Sequence, residues 1–258
     1  MDILMEDCVV LYEKKENIAI LTFNRPAALN ALNTEVNLKL IEHLNAAEAD
    51  PEIRVVVLTG SGEKAFVAGA DIKEMLNMNA VAARDHAIKA KRVTDKIWNL
   101  KKPVLAVING FCLGGGLEYA LACDLRIASE SARFALPEIN LGIMPGSCGT
   151  QRLPRLIGLT KAKELCFTGD IIKANEALAL GLINYVFPSE SLVQEAMALS
   201  GRIAKKSMPA LMLIKSAMNK GMEMDLESAA IFEIDCFGLC FSTEEQKQGM
   251  LAFVNKKK

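Results

Sequence analysis

The sequence predicts an α/β protein, with a strand-and-helix core over residues 1–190 and a helical region over 191–258. Three observations carry this expectation. Runs such as Val55-Val56-Val57-Leu58 and Val104 to Ile108 are apolar without alternation, as in strands buried on both faces. Helical stretches separate these runs, which implies parallel pairing through right-handed crossovers. From Gly149 onward helical patterns dominate, and the last segment carries Met, Leu and Phe at helical spacing.

Taken in order, Cys8 to Tyr12 and Ile18 to Phe23 read as strands, and Pro26 breaks the pattern. Asn33-Thr34 opens a helix in which Val36, Leu40 and Leu44 fall on one stripe, and Pro51 ends it. Arg54 to Thr59 is a buried strand, followed by a small-residue loop from Gly60 to Asp71 and a polar helix from Val81 to Leu100. Pro103 precedes the strand Val104 to Ile108. A glycine-rich loop, Gly110 to Gly116, then feeds the apolar helix Leu117 to Cys123. Leu125 to Ala128, Arg133 to Leu136 and Ile183 to Phe187 are further strands.

Thirty basic residues face thirty-one acidic ones, so there is no basic excess to hold a nucleic acid. Seven cysteines, an odd number with no Cys-x-x-Cys pair, sit mostly among apolar neighbours; they read as small core residues in a reducing compartment. The acidic start, Met1 to Asp7, is unlike a signal peptide, and no apolar run is long enough to cross a bilayer. The expected location is the cytoplasm, with no membrane partner. His43 and His86 lack Cys or acidic partners at metal-ligand spacing, so no metal site is expected and a Ser-His-Asp arrangement is disfavoured. No phosphate-binding glycine signature follows a strand either. Acid–base work therefore falls to carboxylates.

Two loops follow buried strands: Phe66-Val67-Ala68-Gly69-Ala70-Asp71 and Gly114-Gly115-Gly116-Leu117-Glu118. Small residues let a ligand approach the backbone, and N–H groups at a helix start are free to point outward. One such group from each loop suits a carbonyl oxygen that becomes negative during reaction. Glu118 is a lone acid in an apolar helix. It is either a desolvated proton carrier, an acid at an exposed helix edge, or the partner of a buried cation such as Arg126. Glu138 follows Pro137 at a helix start, where an acid is also routine. The residues themselves define a two-carboxylate site beside an oxyanion pocket and do not divide the roles of the two acids.

Ala68-Gly69-Ala70-Asp71, Gly114 to Glu118, Pro137-Glu138, Pro145-Gly146 and Gly149-Thr150-Gln151-Arg152 occur in an order and spacing that resembles the enoyl-CoA hydratase family, the crotonases. Asn24-Arg25-Pro26 with Leu29-Asn30-Ala31-Leu32, and Ala252-Phe253-Val254 with Lys256, extend the resemblance over essentially the whole chain. It is closest to bacterial short-chain enzymes acting on crotonyl-CoA. The resemblance implies a crotonase-like spiral of ββα units with a helical C-terminal region that builds homotrimers, often paired as hexamers. It implies an oxyanion hole from the N–H groups of Ala70 and Gly115, and a catalytic pair in which Glu118 activates water and Glu138 supplies the proton to C2. It further implies that Ala28, Ala68, Ala70, Asp71, Ile72, Lys73 and Gly115 line the CoA path, that Phe253 and Lys256 reach CoA on a neighbouring subunit, and that no cofactor beyond the CoA thioester substrate is needed.

The chain departs from the family at three places: Ala27 stands where Lys is frequent, Ala135 where Gly is common before Pro-Glu, and Ser147-Cys148 where smaller residues are usual. These touch acyl preference rather than reaction type. Lys14, Lys15, Lys73, Lys101, Lys102 and the tail Lys256 to Lys258 are the lysines available to meet an anionic CoA. Rival readings are an enoyl-CoA isomerase, which needs one carboxylate, a thioester hydrolase, and a non-catalytic CoA-binding scaffold. The physiological direction, hydration or dehydration, stays open.

Overall fold

The computed structural model describes residues 8–255. Two strands open the chain, β1 (Val10–Lys15) and β2 (Ile18–Phe23), joined by a tight turn in which Glu16 takes a positive φ. A short 3-10 segment, Pro26–Ala28, leads to α1 (Thr34–Ala49), which Asn33 caps by accepting the Val36 N–H at 2.9 Å. Three ββα turns follow. The first is β3 (Val55–Gly60), β4 (Ala65–Val67), the one-turn α2 (Ile72–Met75) and α3 (Ala80–Asn99). The second is β5 (Val104–Ile108), β6 (Phe111–Leu113) and α4 (Gly115–Ala122). The third is β7 (Leu125–Ser129), β8 (Arg133–Ala135), a 3-10 helix over Pro137–Leu141 and α5 (Gly149–Ile157). Then come α6 (Leu159–Thr168), β9 (Ile172–Lys173), α7 (Ala174–Ala179), β10 (Tyr185–Phe187) and four helices: α8 (Leu192–Ala204), α9 (Met208–Gly221), α10 (Leu226–Cys240) and α11 (Glu244–Asn255).

The long strand of each turn joins one sheet, ordered β1-β2-β3-β5-β7-β10, and the short strand joins a second, ordered β4-β6-β8-β9. This is the expected ββα spiral. Pairing is parallel except at the edges, where β1 runs antiparallel to β2 and β9 to β8. Three short strands were not legible. β4 and β6 lie inside segments that read as glycine-rich loops, and β9 lies in a stretch that read as helix. Each has two or three residues and forms because the neighbouring strand is there to pair with, so no apolar period precedes it. β1 starts at Val10 rather than Cys8 and runs on to Lys15, because antiparallel pairing with β2 tolerates its exposed Glu13, Lys14 and Lys15.

The large sheet is apolar on both faces, which explains its unalternating sequence. Leu21, Phe23, Val56, Leu58, Val104 and Ala106 face the main core with α1, α3 and α4. Val55, Val57, Leu105, Val107 and Ile127 face the other way, against Leu192, Ala196 and Ala204 of α8. Helix α4 lies deepest, buried from Gly116 to Ala122. Its approach requires glycine at 116: a Cβ there would stand 2.2 Å from the Val67 carbonyl oxygen. Beyond α8, helices α9 and α10 pack on each other and leave Ile214, Met218, Ile231, Ile234 and Phe237 exposed.

Several lysines offered as CoA contacts are engaged within the chain. Lys14 pairs with Asp50 and Glu52 at 2.8 and 2.6 Å, and Lys15 with Glu13 at 3.3 Å. Lys102 is no surface residue: it is buried, and its ammonium donates to the carbonyls of Ala47 and Asp50 at the end of α1, satisfying acceptors the helix leaves open. Lys256 to Lys258 lie outside the described residues. His86 lies on α3 as a partly exposed residue, and His43 is partly buried, its Nε2 3.0 Å from the Val10 carbonyl oxygen.

Candidate active site

The site forms where the loop after β4, the start of α4, the 3-10 helix after β8 and the start of α5 meet. Leu32 forms an isolated parallel bridge with Ala70. That bridge uses the Leu32 N–H, which donates to Gly69 O at 2.9 Å, and the Asp71 N–H, which donates to Leu32 O at 2.7 Å. The Ala70 N–H lies between these bonds and takes part in neither. Gly69 carries φ +109°, a conformation that a side chain would strain, and this turn presents Ala70. Asp71 then caps α2 by accepting the Lys73 N–H at 3.2 Å, while its other oxygen pairs with Arg25 at 3.0 Å. The Arg25 guanidinium beside it holds the Asp71 carboxyl below its ordinary range. Arg25 also donates to Ala31 O at 2.7 Å, so the two strands of the Leu32–Ala70 bridge are clamped from the side.

Gly115 is the first residue of α4, and its N–H has no acceptor within its own helix. A methyl carbon on Gly115 would lie 3.8 Å from the Ala70 nitrogen and 3.2 Å from Leu32 Cδ1. The two expected donor amides are therefore neighbours. Gly114, at φ +52°, gives room for the opposite wall, since a Cβ there would fall 3.0 Å from Glu138 Oε1.

Glu118 is 3% exposed. Its Oε1 accepts the N–H groups of Ser147 at 2.7 Å and Gly149 at 2.8 Å. Arg126, the other partner considered, instead donates to the carbonyls of Leu182, Ala120 and Cys123. Burial pushes the Glu118 carboxyl up from its ordinary value; the Gly149 and Ser147 amides and the positive charge of Arg152 push it back. Glu138 sits in the 3-10 helix, partly buried, and its Oε2 is enclosed with no hydrogen-bond partner among the described residues. Burial raises its pKa to about 7; its own backbone N–H opposes the rise and the charge of Glu118 adds to it. The Glu118 charge reaches Glu138, and the two acids have contrasting surroundings: one carboxylate oxygen is gripped by two amides of another segment, while the other acid has an enclosed oxygen without a donor among the described residues.

Sequence reasoning missed the grip on Glu118. Its donors come from Ser147 and Gly149, flanking Cys148, which takes φ +76° as the residue before α5. Cys148 thus belongs to the turn that aims both amides at Glu118. The Pro145-Gly146 and Gly149 pattern was the available signal, because a Cβ at 149 would stand 2.9 Å from Glu118 Oε1.

Of the remaining candidates, Ala68 is half-buried and its N–H donates to Leu29 O at 3.1 Å, while Ala28, Ile72 and Lys73 are exposed. A shallow hollow of about 340 Å³, with Pro26, Leu29 and Asn30 on one side and residues 61–65 on the other, is lined by neither Ala28 nor either glutamate. Phe253 is exposed on α11, and Lys256 lies outside the described residues. Among the described residues no group of three or more His, Cys, Asp or Glu side chains is arranged to hold a metal, and no helix is long and apolar enough to cross a membrane.

A family model described as enoyl-CoA hydratase/isomerase matches residues 13–258. The chain is 47% identical to a crotonyl-CoA hydratase of Syntrophomonas wolfei, over 96% of each chain. It is 48% identical to a short-chain-enoyl-CoA hydratase of Clostridium acetobutylicum, over 96% of this chain and 95% of that one. Its fold superposes on the crystal structure of an enoyl-CoA hydratase from Bacillus anthracis with a TM-score of 0.93 at 38% identity, covering 96% of each. With nearly its whole length matched in sequence and in fold, the chain belongs to the enoyl-CoA hydratase/isomerase family.

Proposed function

We propose that this protein is a hydro-lyase that adds water reversibly across the double bond of short-chain trans-2-enoyl-CoA thioesters, crotonyl-CoA foremost, giving 3-hydroxyacyl-CoA. The reaction belongs to fatty-acid metabolism. One observation carries the reading: a gripped carboxylate, Glu118, and a bare one, Glu138, share a site whose rim holds the adjacent amides of Ala70 and Gly115.

In this reading the thioester oxygen accepts the N–H groups of Ala70 and Gly115. Water lies between the two acids. Glu118, ionised, takes a proton as the water oxygen bonds to C3. The π electrons move toward the thioester oxygen, where the two amides stabilise the enolate-like charge. Glu138, protonated, gives its proton to C2, and the pair exchanges protonation states. Removing one donor of this kind costs about 10²–10³ in rate, and each acid–base partner contributes roughly 10²–10⁴. No cofactor beyond the substrate is invoked.

Ala28, Ala68, Ile72 and Lys73 are assigned to the CoA path, with Asp71 holding the Ala70 turn in place through Arg25. Phe253 and Lys256 are assigned to CoA on a neighbouring subunit. The exposed Ile214, Met218, Ile231, Ile234 and Phe237 support assembly as a homotrimer or a hexamer of two trimers. Seven unbridged cysteines support a reducing, cytoplasmic setting. The test is loss of the enoyl-thioester absorbance with crotonyl-CoA. Rapid loss is expected from the native enzyme and near silence from folded Glu118→Gln and Glu138→Gln. Full activity in the double variant would refute the reading. An isomerase would leave crotonyl-CoA unhydrated and would keep its double-bond shift when the acid it does not use is removed, a hydrolase would release free CoA, and a scaffold would do none of these.

A further inference from the structure

Two polar side chains meet in the main core. The Tyr119 hydroxyl of α4 donates to Asn37 Oδ1 of α1 at 2.7 Å. Tyr119 is wholly buried, its ring 6.5 Å from that of Phe23, and Asn37 is buried on α1. Such a bond adds only about 0.5–1.5 kcal/mol net, because both groups give up water to form it. Apolar packing of the same shape would supply that much, but it has no preferred direction. A hydrogen bond weakens steeply once its partners move out of line, so this one fixes place more than it adds strength.

The places of these two residues in their helices show what the bond holds. Tyr119 stands one helical turn after Gly115, the first residue of α4. Asn37 stands one turn after Asn33, the cap of α1, and donates its N–H to the Asn33 carbonyl at 3.1 Å. Asn33 follows Leu32, which bridges Ala70. One turn of helix on each side thus joins the Asn37–Tyr119 bond to the two amides of the proposed oxyanion pair. Leu32 Cδ1, 3.2 Å from where a Cβ on Gly115 would stand, closes the ring of contacts. We infer that Asn37 and Tyr119 are positioning residues: their hydrogen bond sets the register of α4 against α1, and so the spacing of the Gly115 and Ala70 N–H groups. The inference rests on the hydratase reading above and deepens it.

The test uses a bound thioester that cannot turn over. Butyryl-CoA, saturated and labelled with ¹³C at the thioester carbonyl, is bound to the full chain, and difference infrared spectroscopy reads its carbonyl stretch. Two amide donors on that oxygen lower the stretch. In folded Tyr119→Phe the lowering is expected to shrink. There kcat for crotonyl-CoA should fall about tenfold, a fraction of the ~10²–10³ that outright loss of a donor costs, with KM little changed. Combining Tyr119→Phe with Asn37→Leu removes both polar partners and should recover stability in denaturant. Its kcat and carbonyl stretch should nonetheless stay at the single variant's values. A kcat that recovers together with stability overturns the inference, and so does a native stretch in folded Tyr119→Phe. Should the single variant not fold, the double variant decides, and native kcat with a native stretch there overturns the inference equally. A native protein that lowers the stretch yet does not hydrate crotonyl-CoA would sink the hydratase reading alone. Normal hydration with a native stretch in Tyr119→Phe would sink the role of the Asn37–Tyr119 pair alone.

Discussion

The Gly149 N–H donates to Glu118 Oε1 over 2.8 Å, and a Cβ at position 149 would lie 2.9 Å from that same oxygen. At this position the hydrogen bond and the missing side chain are one device: with the backbone placed to donate, a Cβ on residue 149 would crowd the very oxygen that accepts. Gly149→Ala should therefore displace Glu118 without unfolding the chain. A misplacement near 1 Å costs about 10² in rate, so kcat should fall by about that factor while KM changes little. Steady-state hydration of crotonyl-CoA, with circular dichroism to confirm the fold, checks this.

Glu138 has the opposite problem, an enclosed oxygen with no donor. Its pKa of about 7 in the folded chain, against an ordinary 4.5, means that the folded state holds this proton more tightly than the unfolded chain does. Folding takes up a proton between those two values, so stability falls as pH rises through that window. Glu138→Gln, which resembles the protonated acid, should match the native protein in stability near pH 5. At pH 8 it should exceed it by about 2 kcal/mol, after discounting for partial exposure. Thermal unfolding at the two pH values decides it. In the native enzyme kcat/KM for hydration should decline above about pH 7, as Glu138 loses the proton that C2 requires.

Why Glu118 and Glu138 were visible in the sequence while their handling was not has a physical basis. A lone acid among Leu117, Tyr119 and Ala120 breaks an apolar helix and signals itself. The strands Val55–Gly60 and Val104–Ile108 did the same, because a doubly buried strand has no polar alternation. The grip on Glu118 uses backbone N–H groups, which every residue but proline carries, so Ser147-Cys148 read only as a departure that touches acyl preference. Strands β4 and β6 have three residues each and exist through pairing alone. Lys102 read as a lysine available to CoA because its burial depends on where α1 ends in space, not on its neighbours in sequence. Pro137-Glu138 looked like an ordinary helix start; its isolation becomes apparent only once Gly114 is seen against it.

Gly116 links the fold to the oxyanion pair. A Cβ there would meet the Val67 carbonyl oxygen at 2.2 Å, and both atoms belong to backbone that sits within the core. Gly116→Ala must push α4 away from β4, which carries Gly115 away from Ala70. Overpacking of this kind costs about 1–3 kcal/mol, and the upper end is expected because neither element can yield locally. The same displacement should lower kcat in whatever fraction stays folded. Denaturant unfolding and single-turnover hydration measured on one preparation separate the two effects.

The last expectation concerns α10. Ile231, Ile234 and Phe237 are 55%, 67% and 66% exposed, and Cys236 is the buried residue of the helix. Three large apolar side chains at helical spacing on an otherwise uncovered face favour association over solvation, since burial of each contributes about 1.5–3 kcal/mol. If that face seals a trimer, sedimentation of the native protein should give three or six chains, and Ile234→Lys with Phe237→Glu should lower the number. Placing charges there costs nothing in an isolated chain, so the dissociated subunits should keep their helical content. Activity should nonetheless fall, chiefly through KM, because Phe253 and Lys256 are assigned to CoA on the neighbouring subunit. A monomeric native protein, or a dissociated variant with unchanged KM, would remove that assignment while leaving the chemistry at Glu118 and Glu138 as it stands.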